Sequence, residues 1–205
     1  MSDVCKTVKK ISGDVRREQI VQAALTIIGT RGMSSLTTAS IAKEVGMSEA
    51  NLYRHLKNKD EIYFTCFEYV RGRIWENMDA ASTFSTSSIK NLRHLYSLQI
   101  ALMERNRGLS RFIFSEDLHV HKKLRQKFIQ MVSDFSKKLV LIIKDGQRQK
   151  LIRGDLEPRS TAMIFIGMVQ VVTFRWSLSG FTFPIAREGM ELWKNFEKCI
   201  GYSEK

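Results

Sequence analysis

Residues 37–59 read TTASIAKEVGMSEANLYRHLKNK, two short runs of helix-forming residues parted by Val45-Gly46-Met47 and closed by a cluster of Tyr, Arg, His and Lys. Neither run is long enough to be a stable helix in isolation, so each must be held by its ends and by packing. The ends carry the signals. Thr37 is a good N-cap, and Leu36 before it can staple to Ile41, which starts the first helix at Thr38. Ser48 caps the second in the same way, with Met47 stapling to Leu52, and Gly46 supplies the backbone freedom that a tight interhelical turn needs. The pattern predicts a helix-turn-helix. Ile41, Ala42, Val45, Met47 and Leu52 face inward, and Glu49, Ala50, Asn51, Arg54 and His55 point outward.

Such an outward face suits the major groove of B-DNA, which admits an α-helix whose first residues reach base edges while flanking donors hold phosphates. The free N–H groups and hydroxyls near Thr37 and Ser48 can bind phosphate, and Lys59, at the start of the next helix, adds a charge.

Working outward, helical periodicity continues almost throughout, with two prolines and no sustained alternation of apolar and polar residues. The expected fold class is all-α, with about nine helices. Ile20, Ala24, Ile27 and Ile28 make one face of a first helix that stops at Gly32. A fourth helix opens at Asn58, where Asn58 and Glu61 form a capping box, and runs past Ile62, Cys66, Val70 and Trp75 to about Met78. The polar stretch AASTFSTSS, residues 80–88, is the one loop-like shift in the first half. Ile89, Leu92, Tyr96 and Met103 stripe the next helix, a short piece follows over residues 108–115, and residues 124–142 carry a long amphipathic pattern. Gly154, Asp155 and Pro158 turn the chain into an apolar helix that Ser179-Gly180 breaks, and Pro184 opens the last. The expected domains are a flexible basic N-terminal arm at 1–14, a DNA-binding domain at 15–66, and a ligand-binding and dimerisation domain at 67–205.

The chain has 205 residues, a formal net charge of +12 and a pI near 9.8, which favours a polyanionic partner. The excess is spread, with ten Lys/Arg against six Asp/Glu in residues 1–60 and 23 against 15 beyond, so the DNA reading rests on the motif. No apolar run of signal-peptide length follows the N-terminal positive charges. The longest apolar stretch, residues 161–174, is interrupted by Gln170 and falls short of a spanning helix. A cytoplasmic location without a membrane partner is expected. Cys5, Cys66 and Cys199 have no CxxC spacing and fit free thiols in a reducing compartment.

The segment SLTTASIAKEVGMSEANLYRHLKNKDEIY, within a similarity spanning roughly residues 16–70, resembles the N-terminal helix-turn-helix of the TetR family of bacterial transcriptional repressors. The resemblance implies a homodimer built on a four-helix interface from the last two helices, and a C-terminal helical domain enclosing an inducer pocket. It implies backbone-positioning roles for Thr37, Thr38, Tyr53, His55 and Lys59, and base reading by Glu49, Ala50 and Asn51. Ala39 stands where some members place an arginine that reaches guanine, so fewer bases are expected to be read from the first short helix.

Met103, Phe112, Phe128, Met131, Phe135, Phe165, Met168, Phe174 and Trp176 are many large soft side chains for one domain. Singly each is ordinary core; together they point to a cavity able to re-pack around a hydrophobic or amphipathic effector. Arg111, Arg153 and Arg175 are candidate partners for an anionic head group. Phe165 to Trp176 and Met190 to Ile200 carry more apolar surface than one monomer should hide, which predicts pairing across a two-fold axis. Glu116-Asp117-Leu118-His119-Val120-His121 invites a metal reading, but on a helix His119 and His121 stand about 200° apart, so a solvated interhelical corner is expected, with no metal or cofactor. The basic run Lys137, Lys138, Lys144, Arg148, Lys150 and Arg153 reads as a solvated face, the alternative being a second surface for DNA or an anionic membrane. An enzyme is disfavoured, since no nucleophile–base pair or phosphate loop appears. The reading that results is a ligand-responsive regulator, expected to be a repressor, binding a palindromic double-stranded DNA operator; the alternative is a protein of the same fold controlled by a protein partner or by nothing.

Overall fold

A computed structural model describes residues 13–56 and 58–202, with the Lys59 side chain excepted. Residues 1–12, most of the expected N-terminal arm, lie outside the described residues, whereas Gly13 and Asp14 already belong to a helix. Among the described residues there are ten α-helices, one 3-10 turn at Met33–Ser35 and a single isolated antiparallel bridge, Ile152 with Gly201.

Helix α1 spans Gly13–Arg31 and buries Ile20, Ala24, Ile27 and Ile28, as the 3.6-residue spacing requires. Gly32, with φ 86°, ends it in a conformation that disfavours any other residue. Helix α2 is Thr38–Val45. The Thr37 hydroxyl accepts from Ser40 N at 3.0 Å, and the Ser40 hydroxyl in turn accepts from Thr37 N at 3.0 Å, a reciprocal cap. Gly46 takes the left-handed conformation, φ 73°, and α3, Glu49–Leu52, starts from Ser48, whose hydroxyl accepts from Asn51 N at 3.2 Å. Leu36, Ile41, Ala42, Leu52 and Leu56 are buried with α1.

Helix α4, Lys59–Ser82, is capped by Asn58, whose carbonyl accepts from Glu61 N at 2.9 Å. At 24 residues it is about 36 Å long by its rise per residue, longer than the sequence pattern placed it, because Ala80 and Ala81 are strong helix formers and Ala81 is buried. It packs on α1 at one side, where Gln22 Nε2 donates to the Tyr69 hydroxyl at 2.6 Å, and on α5 and α8 at the other. Helices α5, Ser88–Arg105, α6, Arg107–Ile113, and α8, Lys122–Arg148, follow the predicted order. Between α6 and α8 lies α7, Glu116–Val120, the helix that the expected count of nine omits. The region read as a solvated corner is thus a capped helical turn, with Ser115 accepting from Leu118 N, held by contacts distant in sequence.

Helices α9, Pro158–Leu178, and α10, Ile185–Ile200, close the fold. Pro158 occupies the first turn of α9 behind its cap, Glu157. The helix exceeds the apolar stretch read from sequence: by length and composition alone its 21 residues could cross a bilayer. Thr161, Ala162, Phe165, Ile166, Val172, Thr173 and Trp176 of α9 are buried inside the monomer. Its outer side bears Met163, Ile164, Val171, Phe174 and Leu178, all exposed. Helix α10 departs from expectation. Trp193, Phe196 and Ile200 are spent in the monomer core, and the outward face is polar, with Arg187, Glu191, Lys194 and Lys198.

Two glycines allow α1 and α6 to approach closely. A Cβ on Gly108 of α6 would collide with Leu25 O of α1, and one on Gly29 would stand 2.8 Å from Gly108 N. Helices α1 and α6 therefore meet backbone to backbone, a second joint between the N-terminal helices and the rest beside α4.

Candidate DNA-binding face and apolar cavity

The N-terminal face is assembled from the start of α2 and the whole of α3. Thr37, Ser48, Glu49, Ala50, Asn51, Tyr53 and Arg54 are exposed, while Thr38 and His55 are half-buried. Leu52 and Leu56, both buried, anchor α3 and the turn after it on α1. The Thr38 hydroxyl donates to Glu49 Oε2 at 2.9 Å and stands 3.4 Å from the Tyr53 hydroxyl. This link ties the two short helices together across the turn, and it was not foreseen, because it joins side chains eleven and fifteen residues apart. It also commits the Thr38 proton to a carboxylate, so a phosphate contact from Thr38 requires that bond to be exchanged. Arg54 forms no ion pair with a described carboxylate. The Lys59 side chain, expected to hold phosphate, lies outside the described residues.

Asn51 is the best-placed reader chemically, since its amide can pair with both N6 and N7 of adenine, and Glu49 can accept from cytosine N4. Lys43, exposed in the last turn of α2, is a further cation on this side that the motif did not single out; its one signal is an unpaired basic residue beside the turn.

The second feature is a partly open apolar space among the C-terminal helices, with the exposed Gln170 in its wall. A cavity of about 80 Å³ lies among α4, α5, α6, α8 and α9, walled by Ile74, Met103, Ile113, Phe128, Met131, Val132, Phe135, Phe165, Ile166 and Val169, with Gln99, Gln170 and Thr173 as its polar members. Met103, Phe128, Met131, Phe135 and Phe165 are brought together there, as the sequence led us to expect. Phe112, Met168, Phe174 and Trp176 are not, a correction that follows from the helix faces they occupy. Phe112 packs with Tyr63 at 6.4 Å between ring centroids, Trp176 with Phe181 at 4.7 Å, and Phe174 lies exposed against Phe114; Met168 is half-buried outside the wall.

The three arginines proposed for an anionic head group are also elsewhere. Arg153 pairs with Asp155 at 2.6 Å, Arg175 with Glu188 at 3.8 Å, and Arg111 rests over the Phe181 ring while donating to Ile28 O at 3.4 Å. Among the described residues no cation lines the cavity. The basic run on α8 is likewise solvated, with Lys137 and Arg148 paired to Asp134 and Asp145 of their own helix.

The segment weighed as a metal site does other work. His121 caps α8 by accepting from Leu124 N on Nδ1, places Nε2 3.3 Å from Asp60, and meets the Phe64 ring edge-on at 5.1 Å. Asp117 accepts from the Tyr63 hydroxyl at 2.9 Å; burial and this carboxylate hold the Tyr63 phenol well above its usual range. The start of α4, next to the DNA-binding face, is thus clasped by α7 and α8. Among the described residues no group of three metal-ligating side chains gathers.

Comparison with known proteins agrees with this architecture. Residues 20–66 match the model of bacterial regulatory proteins of the tetR family, and residues 85–178 that of the tetracyclin repressor-like C-terminal domain. Among curated relatives, the nucleoid occlusion factor SlmA of Vibrio campbellii is 28% identical over 180 residues, covering 87% of this chain and 92% of the relative. SlmA of Shewanella woodyi is 30% identical over 131 residues, 63% of this chain and 66% of that one. Among solved structures, Bacillus subtilis FadR in complex with stearoyl-CoA superposes with TM-score 0.76 at 20% identity, covering 89% of this chain and 98% of FadR. The ketosteroid regulator KstR2 of Mycobacterium tuberculosis superposes with TM-score 0.76 at 17% identity, over 92% and 96%.

Proposed function

The chain belongs to the TetR family of DNA-binding bacterial regulators, and from that premise we propose that it is a ligand-responsive repressor: a homodimer that holds a near-palindromic operator and releases it when a hydrophobic small molecule enters the cavity. The observation that carries this reading is the cavity itself, an almost wholly apolar space that touches α4 through Ile74. At about 80 Å³ it is smaller than the several hundred Å³ that ligand sites of drug-sized molecules occupy. A ligand must therefore displace packed Phe and Met side chains, and a close-packed interior shifts rather than compresses. Helix α4, clasped at Asp60 and Tyr63, is the element that would carry the shift to the DNA-binding face. A hundredfold release requires the ligand to prefer the low-affinity state by about 2.7 kcal/mol.

Thr37, Thr38, Ser48, Tyr53, Arg54, His55 and Lys59 serve as backbone-positioning groups in this proposal, and Glu49, Ala50 and Asn51 face the bases. We assign residues 15–66 to DNA binding and the remainder to ligand binding and dimerisation, with α4 shared between them. The dimer forms on the exposed α9 stripe of Ile164, Val171, Phe174 and Leu178, with the charged outer face of α10 as its rim. FadR and KstR2, whose fold this chain shares, are described as a regulator bound to stearoyl-CoA and a ketosteroid regulator, which is compatible with an apolar effector here.

One observation favours a second reading, a DNA-binding factor that answers to a protein partner: the curated relatives matched over most of their length are named nucleoid occlusion factors. The test is selection of bound DNA from a random pool, followed by titration with apolar compounds. The proposal expects an inverted repeat that is released by a compound; retention unaffected by any cavity ligand favours the second reading.

A further inference from the structure

One of the three polar side chains in the cavity wall has a buried polar atom without a partner among the described residues. Thr173, on α9, is 1% exposed, lines the cavity, and its Oγ1 has no hydrogen-bond partner. Gln99, on α5, is 4% exposed in the same wall, and its Nε2 makes only a long contact, 3.4 Å to Ile74 O. Buried hydroxyls are nearly always paired, and an unpaired one lowers stability. A valine would fill the same volume without that cost, so packing alone gives no reason for threonine.

Resting on the reading of this cavity as the effector site, we infer that the effector is an uncharged, largely hydrocarbon molecule bearing one neutral oxygen function, a carbonyl or a hydroxyl, which pairs with the Thr173 hydroxyl beside the Gln99 amide. Charge selects the class. A carboxylate placed in this wall would be desolvated with no cation opposite, since Arg111, Arg153 and Arg175 are engaged elsewhere, and an unpaired buried charge is far costlier than an unpaired hydroxyl. A pure hydrocarbon, conversely, would leave Thr173 unpaired.

The test is isothermal titration of the full chain at pH 7.5 with four compounds of one chain length: 2-octanone, 1-octanol, octane and octanoate. The ketone and alcohol should bind about 3- to 10-fold more tightly than octane, the worth of one hydrogen bond, and octanoate most weakly. Thr173→Val should erase the preference for oxygen, leave octane affinity unchanged, and keep or raise the melting temperature of the free protein. Thr173→Ser, which retains a hydroxyl, should keep the preference. Should Thr173→Val not fold, Thr173→Ala removes the hydroxyl without added bulk and reads the same ratio. If octanoate binds as tightly as octanone, or the ketone-to-octane ratio survives loss of the hydroxyl, the inference falls while the effector cavity stands. If none of the four binds the natural protein, both fall.

Discussion

At the scale of single residues, the proposed function divides the N-terminal face into groups that position and groups that read. Arg54 is exposed with no described carboxylate beside it, so Arg54→Ala should weaken binding to all sequences about equally and reduce the salt dependence by roughly one unit of slope. Asn51→Ala should instead relax discrimination at one base position, at a cost of about 1–3 kcal/mol. Binding assays over a salt series with operator and scrambled DNA separate the two; exchange of these phenotypes would reverse the roles. Away from that face, burial pushes the Cys66 thiol from 9.0 up to about 12. The folded chain then keeps a proton that the unfolded chain loses, so Cys66 contributes stability below pH 9 that is lost progressively as pH rises from about 9 to 12. Tyr96, raised by burial from 10.0 to about 12, acts in the same direction. Denaturant unfolding between pH 8 and 11 should show falling stability, with a shallower fall in Cys66→Ala, and a thiol reagent at pH 8 should modify the exposed Cys199 while sparing Cys66.

At the scale of elements, what was legible in the sequence is what is determined locally. Caps at Thr37, Ser48 and Asn58, the positive-φ Gly32 and Gly46, and the first-turn Pro158 all fall where their chemistry predicts, because each acts within four residues of itself. Helix α7 was missed for the opposite reason. Its five residues carry too little periodicity to read, and Asp117 and His121 matter through Tyr63 and Asp60, more than fifty residues away. The cavity is intermediate: periodicity marks Phe112 and Trp176 as inward, yet which inward neighbours they meet is decided by helix crossings. The joint of α1 and α6 gives this scale its prediction. A methyl at Gly108 would strike the α1 backbone, so Gly108→Ala should destabilise the fold by about 1–3 kcal/mol or more, as overpacking does. Gly154→Ala, where nothing lies within reach of a new Cβ, is the control. Equal stability of the two variants in urea would mean that the helices do not meet as described.

At the scale of the whole molecule, the proposed function joins the exposed apolar residues of α9 to the control of DNA binding: pairing of two copies would fix the separation of the α3 helices, and the cavity would adjust it through α4. Because α10 buries Trp193, Phe196 and Ile200 within the monomer, the proposed dimer draws its pairing energy from α9. Ile164→Asp with Val171→Asp should therefore yield a folded monomer in sedimentation, with operator affinity lowered at least tenfold; a dimer that survives both charges would place the interface elsewhere. The most direct measurement of the central claim is operator affinity with and without a compound that saturates the cavity, in the natural protein and in Met131→Trp, whose indole would fill the space that Met131 borders. The ligand should weaken operator binding in the natural protein, and Met131→Trp should remain dimeric but no longer respond. A natural protein whose operator affinity is unchanged when its cavity is full would contradict the claim.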